Sequence, residues 1–157
     1  LKPAKFTGRS GGMANYAALK SPVPTTLPQG PVKEFRIDLG GEMSKYLWSM
    51  GGESYPEFFS PKGQAEPLKI QQGDRVRIRM TNSTMMFHPM HLHGHFFRLL
   101  PKPGAWDDPF APLKDTVGVG PKQEVDVEFI ADNPGSWFFH CHNLSTDLGD
   151  ITHFNRA

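Results

Sequence analysis

Apolar and polar residues alternate in short runs along most of this chain. Glu34-Phe35-Arg36-Ile37-Asp38-Leu39 puts Phe35, Ile37 and Leu39 on one face of an extended segment and charges on the other, the period-two pattern of a half-buried strand. Gly40-Gly41 is expected to end it. Between 43 and 52, Tyr46, Leu47 and Trp48 suggest a short strand around a loop. Pro67-Leu68-Lys69-Ile70 reads as a brief strand and Gln72-Gly73-Asp74 as a turn. Arg75-Val76-Arg77-Ile78-Arg79-Met80 alternates most cleanly, with Val76, Ile78 and Met80 expected inward and the arginines in solvent. His95 to Leu100 follows, with Phe96 and Phe97 read as core, and then a loop from Pro101 to Pro112 carrying Trp106 and Asp107-Asp108. Asp115 to Val119 and Glu124 to Ile130 are further strands, and Asn133-Pro134-Gly135 is a turn. Ser136-Trp137-Phe138-Phe139 opens a last strand, expected to be buried, that runs to Cys141. Roughly seven short strands with turn signals between them predict an all-β fold, a β-sandwich with Greek-key connections.

The first 31 residues lack this texture. Gly8, Gly11, Gly12, Pro22, Pro24, Pro28 and Pro31 interrupt any regular pattern. Residues 1–31 read either as an inter-domain connector or as an extended N-terminal segment that wraps its own domain. Residues 32–157 are of a size for one domain with a real core. Lys+Arg number 17 and Asp+Glu 16, so no basic face points to nucleic acid. A single cysteine excludes an internal disulfide framework. No apolar run is long enough for a membrane span. Leu1-Lys2-Pro3 opens a polar segment rather than a signal peptide, which suits either a mature or cut product or a cytoplasmic protein, and the start without methionine favours a cut chain. The 15 prolines and 16 glycines agree with β structure rather than helix.

Candidate chemistry is concentrated in two stretches. His140-Cys141-His142 places the sole cysteine between two imidazoles. On an extended chain both histidines face one way and the thiol the other. His88-Pro89-Met90-His91-Leu92-His93-Gly94-His95 is the second stretch, and there His91 and His93 share a face. Six of the seven histidines fall in these two stretches. Buried imidazoles need partners for both nitrogens, so such a gathering points to metal rather than packing. Soft sulfur with imidazole nitrogen suits copper and electron transfer. Zinc is the rival, but structural zinc sites usually gather several cysteines.

His88-Pro89-Met90-His91-Leu92-His93-Gly94 and His140-Cys141-His142-Asn143-Leu144 resemble the paired copper motifs of multicopper oxidases, the laccase-like enzymes and their bacterial copper-resistance and spore-coat relatives. Gly73-Asp74-Arg75-Val76, Asn82-Ser83-Thr84, Lys114-Asp115-Thr116-Val117 and Asn133-Pro134-Gly135-Ser136-Trp137 follow the family order. The resemblance covers residues 32 to 144 and implies a cupredoxin domain, the carboxy-terminal one of such an enzyme, with residues 8–31 as the connector leading into it. It implies that His88 and Cys141 are type-1 copper ligands, that His91 holds the type-2 copper, and that His93, His140 and His142 hold the type-3 pair. Electrons from a phenol, aromatic amine or metal ion would then pass from the Cys141 sulfur through a short backbone path to the flanking imidazoles, where dioxygen is reduced to water.

His91, His93, His140 and His142 match only half of the family's trinuclear histidines. Another cupredoxin domain, a partner chain or a second copy of this chain in a homo-oligomer is therefore expected to supply the rest. Copper use implies a periplasmic or extracellular setting. Where the family has a further type-1 histidine this chain has Thr146, and where it has Met, Leu or Phe this chain has Ile151. The tail from about 145 is not expected to form the family's usual helical turn and final strand. His153 is either a substitute ligand or a surface residue of that tail. His95 is read as structural, continuing the strand, or as support for a ligand. Asp115 is a candidate for orienting a ligand imidazole or passing protons to the oxygen chemistry, with a plain strand-edge aspartate as the other reading. The alternative function class is a non-enzymatic domain that binds copper without turnover.

Overall fold

The computed structural model describes residues 16–45, 47–52, 68–100, 102–143 and, as backbone, 151–156. Tyr46, Pro67, Pro101, Leu144 and Thr146, and residues 1–15 of the expected connector, lie outside the described residues. The described residues contain eleven strands: β1 (Val32–Glu42), β2 (Leu47–Met50), β3 (Leu68–Ile70), β4 (Arg75–Asn82), β5 (His88–Leu92), β6 (Phe97–Leu99), β7 (Leu113–Lys114), β8 (Thr116–Val119), β9 (Glu124–Ile130), β10 (Trp137–Cys141) and β11 (Ile151–Arg156). One sheet runs β2-β1-β4-β9-β6-β7 and the other β3-β11-β10-β5-β8. The expected all-β sandwich is therefore present, with more and shorter strands than the alternation alone suggested.

Period-two patterning builds the core. Val76, Ile78 and Met80 of β4, Val125, Val127 and Phe129 of β9, and Phe97 and Leu99 of β6 line one inner face. Met90 and Leu92 of β5, Val117 and Val119 of β8, and Phe139 and Cys141 of β10 line the other. Each fully buried aliphatic or aromatic side chain in this layer is worth about 1.5–3 kcal/mol of removal from water.

Four expectations are corrected. First, Gly40-Gly41 does not end β1. The strand continues to Glu42, turns through a short 3-10 segment (Met43–Lys45) and returns as β2, with Gly41 opposite Trp48. A side chain at Gly41, whose φ is +146°, would collide with the Leu47 carbonyl and the Met86 methyl, and one at Gly40 would lie 2.5 Å from Ser49 Oγ. The glycines are there to let β2 approach.

Second, the β4 arginines are not in solvent. Arg75 is buried, and the carboxylates of Asp126 and Glu128 on β9 are fully so. Glu128 accepts from Arg75 Nε at 2.7 Å, Arg77 Nε at 2.8 Å and Arg98 Nη1 at 2.6 Å. Asp126 takes a two-pronged bond from Arg79 at 2.8 and 2.7 Å and a third from the Gly104 N–H at 2.7 Å. The 102–112 loop covers this outer face: Arg77 stacks 4.5 Å over Trp106, and Arg98 donates to the Trp106 and Asp108 carbonyls.

Third, Phe96 is 69% exposed while Phe97 is fully buried. β6 begins at Phe97, two residues later than the start read at His95, so His95 does not continue the strand, and all three β6 residues are buried. Similarly, β10 alternates rather than being buried throughout, with Phe138 outward and Phe139 inward.

Fourth, the tail does contain a final strand. β11 inserts between β10 and β3, with Phe138 paired to His153 and His140 to Ile151 along the backbone. The run Ile151-Thr152-His153-Phe154 has the β-branched and aromatic content that suits a strand with two neighbours.

Residues 16–25 lie against the domain. The Tyr16 hydroxyl accepts from the Gly118 N–H at 3.0 Å, Ser21 N–H donates to the Phe110 carbonyl at 2.8 Å, and Thr25 bonds the Pro109 and Ala111 carbonyls. Lys20 pairs with Asp108 at 2.5 Å.

Candidate metal centre

β5 and β10 are antiparallel neighbours, and their register sets the site: His140 is opposite His91, and Cys141 is opposite Met90. Alternation then separates two donor sets. His88, Met90, Leu92, Phe139 and Cys141 are buried, whereas His91, His93, His140 and His142 are half-buried or exposed on the outer face.

On the inner side, the His88 ring is fully buried, and neither of its nitrogens has a hydrogen-bond partner. Leaving one such polar group unsatisfied costs about 1–3 kcal/mol. Burial pushes the His88 pKa down to about 4, so the ring is neutral at pH 7 and keeps a lone pair for a metal. The loop before it is held by Asn82, which is 1% exposed. Its amide donates to the carbonyls of Met86 at 2.7 Å, Gly120 at 2.9 Å and Val119 at 3.1 Å, while its oxygen accepts from the Thr84 N–H and hydroxyl. This fixes the entry into β5 and hence the place of His88.

On the outer side, one donor atom each from His91, His93 and His140 falls within 4.8 Å of the others, a set that could hold a metal ion. His93 Nε2 and His140 Nε2 are 3.0 Å apart and share a hydrogen bond. His142 stands beside this trio, with ring centroids 5.5 Å from His140 and 5.7 Å from His91. His91 Nδ1 is 2.9 Å from both the Asp115 carbonyl and the Thr116 hydroxyl. His140 Nδ1 donates to the Cys141 carbonyl at 3.0 Å. In both rings Nδ1 is occupied by protein, which leaves Nε2 for metal. Burial, reinforced by neighbouring His91 and His142, lowers the His93 pKa. Burial also lowers that of His140 against the opposing pull of its bond to the Cys141 carbonyl. Both rings are thereby kept in the neutral state that binds metal.

The structure therefore gathers His91, His93, His140 and His142 on one face and puts His88 and Cys141 on the other. Asp115 reaches the site through its backbone carbonyl, and its side chain is exposed. His95 packs against Phe129 and Trp137, with ring centroids 5.2 and 6.2 Å away. The backbone of His153 is placed by its pairing with Phe138. Sequence reading missed the roles of Asn82, Thr116 and the turn around Asn133. Asn82 lay within a quoted motif, but no spacing rule reveals that its amide serves three carbonyls.

The multicopper oxidase family matches this chain over residues 27–149. The chain is similar to Multicopper oxidase MmcO of Mycobacterium tuberculosis, 42% identical over 146 residues, covering 91% of this chain and 26% of that protein. It is also similar to Copper resistance protein A of Pseudomonas syringae pv. tomato, 35% identical, covering 82% of this chain and 19% of that protein. Its fold matches the McoA multicopper oxidase of the hyperthermophile Aquifex aeolicus with a TM-score of 0.65 at 26% identity, over 85% of this chain and 31% of that one. The chain thus spans about a quarter or less of the length of these curated relatives. Among the described residues, no helix is long and apolar enough to cross a membrane.

Proposed function

This chain belongs to the multicopper oxidase family, and from that premise we propose that it is the part of a laccase-like oxidase that holds one copper on its inner face and contributes half of a trinuclear copper cluster on its outer face. The observation that carries this is the division of donors across β5 and β10: a buried sulfur and an orphaned buried imidazole on one side, four imidazoles on the other. Copper is the cofactor the family implies, and the donors fit it, since thiolate with imidazole is the set that copper electron-transfer sites use.

His88 and Cys141 are assigned to the inner copper, His91 to the type-2 position, and His93, His140 and His142 to the type-3 pair. Bound copper supplies the one-electron redox chemistry that allows electrons from a substrate to accumulate until dioxygen is reduced to water. The chain's own residues do the rest. Cys141 is covalently adjacent to His140 and His142, so the two faces are joined by a few backbone bonds. The Asp115 carbonyl and Thr116 hydroxyl hold His91 so that Nε2 faces its neighbours. Asp115 is assigned this orienting role through its backbone carbonyl, and the passing of protons to the oxygen chemistry is assigned to its exposed carboxylate.

The missing ligands come from another cupredoxin domain or chain, a second copy included. The reducing substrate is a phenol, an aromatic amine or a metal ion. Copper handled through a thiolate favours a compartment without competing cytosolic thiols, so the protein is assigned to the periplasm or the exterior.

Dioxygen uptake by the copper-loaded protein, assembled with the domain or chain that supplies the remaining cluster ligands, with a phenolic, an arylamine and a metal-ion donor tests this reading. Uptake that is lost on Cys141→Ser supports it. Stoichiometric copper binding with no uptake from any donor assigns the chain instead to a domain that binds copper without turnover.

A further inference from the structure

We propose that Asn133 and Trp137, aided by His95, are positioning residues for His93: they clamp the His93-Gly94 turn and so set the spacing between the His93 and His140 rings. This rests on the assignment of His93 and His140 as ligands. His93 lies just past the end of β5, where ladder pairing no longer fixes the chain. Its N–H still bonds the Phe138 carbonyl of β10 at 2.9 Å. Beyond that atom the Gly94 backbone is held from the 133–137 turn, while the His93 ring also meets Phe138 edge-on at 5.8 Å.

The contacts form a closed ring. Asn133 Nδ2 donates to the Gly94 carbonyl at 3.0 Å. Trp137 Nε1 donates to the Asn133 carbonyl at 2.8 Å. The Trp137 ring lies directly beneath Gly94, whose φ is +71° and whose Cβ, if present, would sit 2.6 and 2.7 Å from Trp137 Cε2 and Cε3. Glycine is required there for both backbone and space. His95 closes the ring more loosely: Nδ1 lies 3.4 Å from the His93 carbonyl, and Nε2 accepts from the Asn133 N–H at 3.4 Å.

Trp137 sits three residues before His140 on β10. The clamp therefore ties the turn that aims His93 to the strand that carries His140, and the result is the 3.0 Å separation of their Nε2 atoms. Asn133 is exposed and contributes nothing to the apolar core, so burial gives it no packing role that would account for these bonds. Residues that hold a ligand imidazole from behind typically change metal affinity when removed, without touching the metal.

The test uses Asn133→Ala, which removes the bond to Gly94, and Trp137→Phe, which keeps a ring under Gly94 but loses the bond to Asn133. Crystal structures of both metal-free variants are expected to show His93 Nε2 and His140 Nε2 no longer within hydrogen-bond distance. Calorimetric titration with Cu²⁺ is expected to show affinity at the His91–His93–His140 set weakened about 10- to 100-fold, while thermal unfolding of the metal-free protein changes little. A separation that stays at 3.0 Å in both variants overturns the proposal, as does an affinity loss that merely tracks loss of folded protein. If the wild-type protein takes no copper at this set yet the variants still displace His93, the clamp stands and the copper reading fails.

Discussion

His88 shows how much a single residue can reveal. A buried imidazole with two unpartnered nitrogens is a defect in a metal-free core and an asset in a metal-loaded one. His88→Leu is accordingly expected to stabilise the metal-free protein by about 1 kcal/mol, read by urea unfolding in the presence of a chelator, and to abolish the thiolate–copper absorption of the loaded protein. Stabilisation by copper lost together with destabilisation of the metal-free form would contradict this account. The gathering of candidate ligands was legible in the sequence, because six histidines and one cysteine in two short stretches exceed what packing explains. Their orientation was not. Whether His91 is held by a carboxylate or by a carbonyl depends on how β5 meets β8, and there the register delivers the Thr116 hydroxyl and the Asp115 backbone.

At the scale of elements, alternation located β1, β4 and β9, and the apolar run after Ser136 located β10, but the outer face of β4 was misjudged. Arg75, Arg77 and Arg79 read as solvated because charge on one face of a strand usually is. The complementary run Glu124-Val125-Asp126-Val127-Glu128 was equally visible, but only antiparallel register puts Arg77 opposite Glu128 and Arg79 opposite Asp126. Glu128→Gln leaves buried guanidinium groups underpaired and is expected to cost about 3–5 kcal/mol. Burial pushes the Glu128 pKa up, but the hydrogen bonds from Arg75 and Arg77 outweigh it and hold the group below its ordinary 4.5. Its stabilising contribution is thus fully present above that value and is lost as pH falls through the lower folded value. Urea unfolding from about pH 7 to about pH 3 should show the gap between wild type and Glu128→Gln narrowing only at the acid end, and a constant gap would contradict the assignment. The β1–β2 hairpin offers a second check. Gly41→Ala meets the Leu47 carbonyl and Met86 at a positive φ, so it is expected to destabilise by about 1–3 kcal/mol, seen as a lowered melting temperature.

For the whole molecule, the sandwich places two donor sets back to back across one pair of strands, the inner set closed and the outer set open. That the outer set needs further ligands from elsewhere is an expectation that rests on matching four imidazoles to the family pattern. Its exposed setting follows from the fold, because β5 and β10 lie inside the five-stranded sheet with their outer face uncovered by other described strands. The final strand was missed because Ile151-Thr152-His153-Phe154-Asn155-Arg156 lacks the period-two alternation of the other strands, although Gly149-Asp150 offers a turn signal before it. Anomalous diffraction at the copper edge from crystals of the copper-loaded protein tests the central claim most directly. The expected result is one peak within bonding distance of Cys141 Sγ and His88, and separate density at the Nε2 atoms of His91, His93 and His140 on the opposite face. Copper found away from Cys141, with those three rings bearing no metal, would contradict it.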